Sequence, residues 1–419
     1  MIRSMFSAVS GLRNHQTMMD VVGNNIANVN TTGFKTSNVV FQDVLSQTLQ
    51  GGGAATAQQG GTNPAQVGLG ARVAAITTNF GQGALQRTGR ATDLAIEGDG
   101  FFVVSQAGQQ LYTRAGSFSV DALGRLVTQD GAFINGWQSG ADGRVNTNGP
   151  VGMIQIPVGD LIAPVATSSR EPGVTVGGNL PANADVGRII TNSVQVFDGQ
   201  GNPVSLKMAF EKTDENEWEV TFSYVDENGD DVELNTETLA FDPDTGELDT
   251  PADYGIVIDD ADGIFGGDIT ITLGEEGGPN RLTQYGELST LAILDQAGSA
   301  AGSLQSFTVS QDGLIVGSYS NGRTRPIGQI ALAVFANPEG LEKVGGSNFR
   351  PTMNSGLAQL GRAGEGGRGL LSSGTLEMSN VDLAQEFTSL IVAQRGFQAN
   401  SRVVTTSDEL LMEVVNLKR

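Results

Sequence analysis

The side chains that could carry chemistry are few and poorly placed for it. His15 is the only histidine in 419 residues, and it lies within a stretch of helical periodicity near the N-terminus. Neither a Ser-His-Asp relay nor a multi-histidine metal site can be assembled from it. There are no cysteines, which removes disulfides, thiolate ligands and thiol nucleophiles. No G-x-x-x-x-G-K-[ST] loop exists, and the glycine clusters fall between strand-like segments rather than opening helices. Carboxylates are abundant. Asp242-x-Asp244-x-Gly246 and Asp259-Asp260-x-Asp262 are spaced as calcium loops space theirs. Neither continues into a twelve-residue loop with a terminal Glu, and Asx-type turns account for both without an ion. Glycosidic chemistry would need a sugar platform beside its carboxylates, and only Trp137 and Trp218 are available. The expectation is therefore a chain that is not an enzyme, with no catalytic residue, no cofactor and no metal.

Composition narrows the partners. With 24 basic against 46 acidic residues the formal charge is −22, which repels phosphate backbones and anionic lipid. Neither nucleic-acid binding nor membrane insertion is expected, and no stretch approaches the ~20 apolar residues of a membrane span. The N-terminus MIRSMFSAVSGLRNHQTMMD lacks the apolar core and cleavage site of a secretory signal, so any export is expected to use an uncleaved terminus. The 58 glycines predict many turns and short strands. A chain of this length can bury two or more cores.

The elements that would position anything differ sharply between the ends and the middle. Met5, Val9, Leu12, Met19 and Ile26 alternate four and three steps apart, a coiled-coil stripe of period near 3.5. Asn30-Thr31-Thr32-Gly33 ends that helix, with Gly33 suited to a left-handed cap. Leu383, Phe387, Leu390, Phe397, Val404, Leu411 and Val415 repeat the ladder in a helix reaching toward Lys418, with Ser379 and Asp382 spaced as a capping box. These twelve apolar residues are the candidate polymerisation surface. Two lone helices have no third element to cover Met18, Val22 and Ile391, so burial by neighbouring copies is expected.

Between the helices the period becomes two, with tight turns such as Gly98-Asp99-Gly100, Asp312-Gly313 and Asn321-Gly322. Strand candidates at 94–96, 101–104, 111–113, 117–120, 307–310, 314–319 and 327–335 read as an antiparallel sandwich or barrel. Others at 193–197, 204–210, 218–225 and 268–273, with a turn at Glu227-Asn228-Gly229, sit in an acidic stretch. The fold class expected is multidomain: a terminal α-helical coiled-coil domain plus two nested all-β domains, each an antiparallel sandwich or barrel. Residues 1–33 and 376–419 form the helical core, 34–90 and 355–375 a linker region, 91–163 and 282–354 an inner β domain, and 164–281 an outer acidic β domain. Gly51 to Gly61 reads as a low-complexity link.

The block Ser10-Gly11-Leu12 through Asn24-Asn25-Ile26-Ala27-Asn28-Val29-Asn30-Thr31-Thr32-Gly33-Phe34-Lys35 closely resembles the signature of the bacterial flagellar axial family, the rod and hook subunits. So do Ser379-Asn380-Val381-Asp382-Leu383 through Ala393-Gln394-Arg395-Gly396-Phe397-Gln398-Ala399-Asn400-Ser401, Gly98-Asp99-Gly100-Phe101-Phe102, and Tyr112-Thr113-Arg114-Ala115-Gly116-Ser117-Phe118. The segment from Val196-Phe197-Asp198 to Gly201-Asn202-Pro203, with Leu206-Lys207-Met208 and Trp218, resembles the outer domain of the hook branch. The resemblance implies a subunit exported unfolded through the flagellar type III apparatus. It would stack outside the cell into a curved tube, with rod, hook cap and hook-filament junction proteins as partners. A distal rod-type subunit, or an acidic extracellular protein binding calcium or glycan, are the alternatives.

Overall fold

Helical periodicity is realised at both ends, as α1, Ile2–Ala27, and α2, Leu383–Asn416. This computed structural model describes residues 2–54, 60–140, 143–159, 161–226, 230–260, 263–274, 278 and 280–416; Lys418 lies outside them. Past α1 the backbone turns through Gly33 at a φ of 68°, the left-handed region that glycine enters without a side-chain clash. A Cβ at Gly33 would also lie 2.5 Å from the Ala115 nitrogen. At the start of α2, Asp382 Oδ1 accepts from the amides of Ala384 (2.8 Å) and Gln385 (3.2 Å). This corrects the expected capping box. Asp382 is itself the N-cap, and Ser379 Oγ accepts from Val381 ahead of the helix.

The chain divides into two units, each with its own core. The first comprises Met1–Val158, Phe307–Gly317 and Arg325–Arg419. Within it, the span expected as a linker holds five strands among its described residues. β1, Ser37–Asp43, pairs antiparallel with β4, Ala71–Thr78, and β2, Ser46–Gln50, pairs with β3, Ala65–Gly68. The β-branched residues Val39, Val40, Val73 and Ile76 suit such a ribbon. No tight turn joins its arms, because the Gly/Ala/Gln stretch intervenes. Gly53 and Thr62 exchange backbone hydrogen bonds across that stretch, of which 55–59 lie outside the described residues. In the second expected linker, Leu370–Ser373 pairs with Leu94–Glu97, and Thr375–Glu377, whose last two residues fall in the expected helical core, is a strand paired with Leu85–Arg87.

The remainder of this unit is a β body. Phe101–Gln106 pairs with Gln109–Thr113, Phe133–Gln138 joins Phe101–Gln106 to Thr324–Ile330, and Asn348–Arg350 pairs with Gln109–Thr113. One side of it buries Phe101, Val103, Tyr112, Trp137, Phe335 and Phe349, with Phe80 packed edge-on against Phe101. Phe102, Phe118 and Ile134 are buried as well.

The second unit comprises Gly159–Ser306 and Ser318–Thr324. An antiparallel sheet runs in the order Ile189–Phe197, Pro203–Asp214, Glu217–Val225, Asp231–Phe241, Leu248–Thr250. A second sheet is built on Val174–Pro181. Residues of both sheets fill one core, among them Val174, Val176, Phe210, Trp218, Phe222 and Ile271.

Two expectations are corrected here. Val174–Pro181 runs parallel to Ile269–Thr272 and Leu282–Tyr285, so the unit is not wholly antiparallel. The long intervening chain allows a parallel pairing that a hairpin could not. Leu282–Tyr285 and Ala292–Gln296 also belong to this unit rather than to the inner β domain, because both pair with Val174–Pro181.

The acidic turns hold backbone. Asp242 Oδ1 accepts from the amides of Asp244 and Thr245, which keeps its carboxyl below the usual carboxylate range. The Asp260 carboxylate accepts from Ile264, Phe265 and Gly267. Asp262 and the expected turn at 227–229 lie outside the described residues. Charge is segregated between the units: the first holds 18 basic and 18 acidic residues, the second 6 and 28. The entire net charge of −22 therefore belongs to the second unit.

Candidate functional site: the helix pair and its junction

α1 and α2 pack antiparallel. Gly11 lies against Asn400, His15 against Gly396, and Asn25 Nδ2 donates to Glu386 Oε1 at 3.0 Å. The residues buried between and beneath the helices are small or polar: Ala8, Asn14 and Asn25 beside Val22 on α1, and Glu386, Ala393 and Ser407 on α2. Small residues let two backbones approach closely, so this seam is narrower than one built of leucines.

The expected apolar ladder runs beside that seam rather than within it. Met5, Val9, Leu12, Met19 and Ile26 are half-buried, as are Leu390, Val404 and Leu411. Leu383 is exposed, and so are Phe387 (51%), Phe397 (37%) and Val415 (67%).

A third element does cover α1, contrary to expectation. Asn25 Nδ2 donates to the Ser37 carbonyl (2.9 Å), and the Ser37 amide donates back to Asn25 Oδ1 (3.1 Å). The Ala71 amide donates to Ser10 Oγ (3.3 Å), and Phe41 approaches the His15 ring at 6.4 Å between centroids. The ribbon of β1 and β4 thus seals one side of α1. Val22 is buried and Met18 half-buried, while Ile391 on α2 stays 58% exposed.

Where the helix pair meets the β body, three charged side chains converge. Lys35 Nζ lies 2.6 Å from Glu377 Oε1, with both side chains fully buried, and also donates to the Gly81 carbonyl at 2.8 Å. Glu377 Oε1 accepts the Gly83 amide at 2.8 Å, and Glu377 Oε2 accepts Arg114 Nη1 at 3.4 Å. The Arg114 guanidinium also stands 5.4 Å over the Phe101 ring. Burial pushes Lys35 and Arg114 below their ordinary pKa ranges, and Glu377 opposes that in both.

Backbone bonds surround the cluster. The Gly33 amide donates to the Glu377 carbonyl, and the Thr36 amide to Asn380 Oδ1. Asn380 Nδ2 in turn donates to the carbonyls of Asn79 and Gly81. The charged cluster lies beside a cavity of about 380 Å³ whose lining includes Thr31, Lys35, Thr113 and Lys343. The cluster fastens three chain segments together.

The expectations from sequence did not include Lys35, Glu377 or Arg114 as a group. A signal existed: Lys35 is the only charge between Asp20 and Asp43, and Glu377 the only one between Arg368 and Asp382. Lone opposite charges in otherwise neutral segments beside both helices are candidates for a buried pair.

Known proteins divide the chain in the same sequence order. Residues 5–35 match the family described as flagella basal body rod protein, and 95–169 the flagellar hook protein FlgE/F/G D1 domain. Residues 180–299 match the flagellar basal body protein FlaE D2 domain, and 372–417 the flagellar basal body rod FlgEFG protein C-terminal. The flagellar hook protein FlgE of Treponema pallidum is 40% identical over 463 residues, covering all of both chains. The chain belongs to the flagellar hook protein FlgE family. The FlgE of Borreliella burgdorferi is 41% identical, again over the whole of both chains. The crystal structure of Helicobacter pylori flagellar hook protein FlgE2 shares the fold at a TM-score of 0.55 and 16% identity, covering 70% of this chain and all of that one. Among the described residues no group of three or more His, Cys, Asp and Glu could hold a metal, and no helix is long and apolar enough to cross a membrane.

Proposed function

We propose that copies of this chain polymerise into the curved tube of a bacterial flagellar hook, which joins rod to filament and transmits torque. Family membership supplies the setting. The observation that carries the mechanism is the apolar surface of α2, where Phe387, Ile391, Phe397 and Val415 stay exposed although α1 packs against that helix. Large apolar side chains left exposed along one helix point to an interaction site. The 3.5-residue ladders on the two helices engage those of neighbouring copies as coiled-coil seams and form the inner wall. The β body makes the middle layer and the acidic second unit the outer one. Polar contacts between outer units rearrange at little cost as the tube bends, whereas the apolar helical contacts stay fixed.

Rod, hook cap and hook-filament junction proteins abut the two ends of such a tube. The subunits reach it unfolded, through the flagellar type III export apparatus.

Electron microscopy of the purified full-length chain at high concentration tests this. Tubes of uniform diameter are expected. A monodisperse monomer with both helices ordered under all assembly conditions would contradict it.

A further inference from the structure

The three charges of the junction come from three separate stretches: Lys35 from the segment after α1, Arg114 from the β body, and Glu377 from the segment before α2. Among the described residues, Glu377 is the only acid bonded to either cation. With Glu377 gone, Lys35 keeps the Gly81 carbonyl, and Arg114 keeps only the face of Phe101 and the distant attraction of Asp99. Two like charges would then sit together out of water, an arrangement that opens rather than persists.

The backbone bonds act in the same sense. The Gly33 amide uses the Glu377 carbonyl, the Gly83 amide its carboxylate, and the Thr36 amide the Asn380 side chain. Each of these donors faces the segment leading into α2, and each would be orphaned without it.

We propose that Glu377 is a positioning residue that couples the ordering of the two terminal segments, so that α1 keeps its place on the β body only while the segment leading into α2 is docked. The coupling acts within one copy. It goes beyond the tube reading and does not depend on it.

Hydrogen exchange on the unassembled full-length chain tests this with wild type, Glu377→Gln, and Lys35→Met/Glu377→Gln. Glu377→Gln is expected to speed exchange at least tenfold at amides 8–22 of α1, as well as in α2, while amides 102–104 stay protected. Adding Lys35→Met removes the orphaned cation and is expected to restore most of the α1 protection. Unchanged α1 protection in Glu377→Gln, loss confined to α2, or no rescue by Lys35→Met overturns the proposal. Freely exchanging wild-type amides at Gly33 and Thr36 overturn it too. Should Glu377→Gln unfold the β body itself, Asn380→Ala removes the Thr36 acceptor and the bonds to the Asn79 and Gly81 carbonyls while leaving Glu377 in place. Faster exchange in α1 then supports the coupling, and unchanged exchange overturns it. Because tubes are not needed, failure of the assembly experiment and failure of this one are separately visible.

Discussion

The ring of His15 fills the space that a side chain at Gly396 would occupy. A Cβ built on Gly396 collides with Cε1 and Nε2 of that ring. Phe41 of the ribbon stands on another side of the imidazole, so the ring is wedged between α2 and β1. Gly11 and Asn400 form a second such pair with the roles of the helices exchanged, a Cβ on Gly11 falling 2.7 Å from Asn400 Nδ2.

Gly396→Ala should therefore force the helices apart and destabilise their pairing by about 1–3 kcal/mol, the usual cost of overpacking. His15→Ala in the same chain should recover most of the loss. Gly11→Ala should be milder, since the Asn400 amide is the far end of a flexible side chain. Thermal melts followed by helical circular dichroism check all three.

Leu390→Asp and Phe397→Asp place a charge on the apolar ladder without touching either β core. Both variants should keep β-sheet circular dichroism and fail to form tubes. Normal tubes from either would remove the helical faces from the account.

The carboxyl of Glu386 is buried beside Asn25, and burial raises its pKa, with Asp382 adding repulsion and the Asn25 hydrogen bond opposing. A raised value means the folded helix pair keeps a proton that the unfolded chain has released. Stability from this group is then greatest in acid and falls as pH climbs through the folded value. Glu386→Gln keeps an acceptor for Asn25 and removes the charge. It should be more stable than wild type at pH 7, with the difference shrinking toward pH 4.5, as measured by melts across that range.

Trp218 is fully buried in the core of the second unit. Trp218→Ala should cost about 3–5 kcal/mol there and leave exchange protection in the first unit unchanged. This is a cleaner probe than excising 164–281, which would orphan Leu282–Tyr285 and Ala292–Gln296 from their partner Val174–Pro181.

With 6 basic and 28 acidic residues the second unit repels itself, while the first is balanced. Raising salt from ~20 to ~300 mM shortens the screening length severalfold. Amide protection at 218–222 should increase, with little change at 102–104. Equal responses in both units would contradict the segregation argument.

Much of this was legible in the sequence because it rests on local rules. The helices follow from period, Gly33 from its need for positive φ, and Phe101–Gln106 and Gln109–Thr113 from short apolar runs on either side of a tight turn. What escaped depends on contacts distant in sequence. The ribbon of β1 and β4 is closed by no tight turn, so its arms read as linker. Val174–Pro181 pairs with strands about 100 residues onward, a register that no local pattern encodes. Counting apolar residues favours the ladder of Leu390 and Phe397, whereas the seam needs close backbone approach and uses Ala8, Gly11, Ala393 and Gly396. Lys35 and Glu377 stand alone in neutral segments, but their pairing is visible only once both ends of the chain are brought together.

Hydroxyl-radical footprinting of the full-length chain before and after assembly tests the central claim most directly, by reading Phe387, Phe397 and Met412. The account predicts a severalfold loss of labelling at all three on assembly, because sibling copies bury that face of α2. Equal labelling in monomer and tube would mean that the apolar ladder stays in water and that something else holds the copies together.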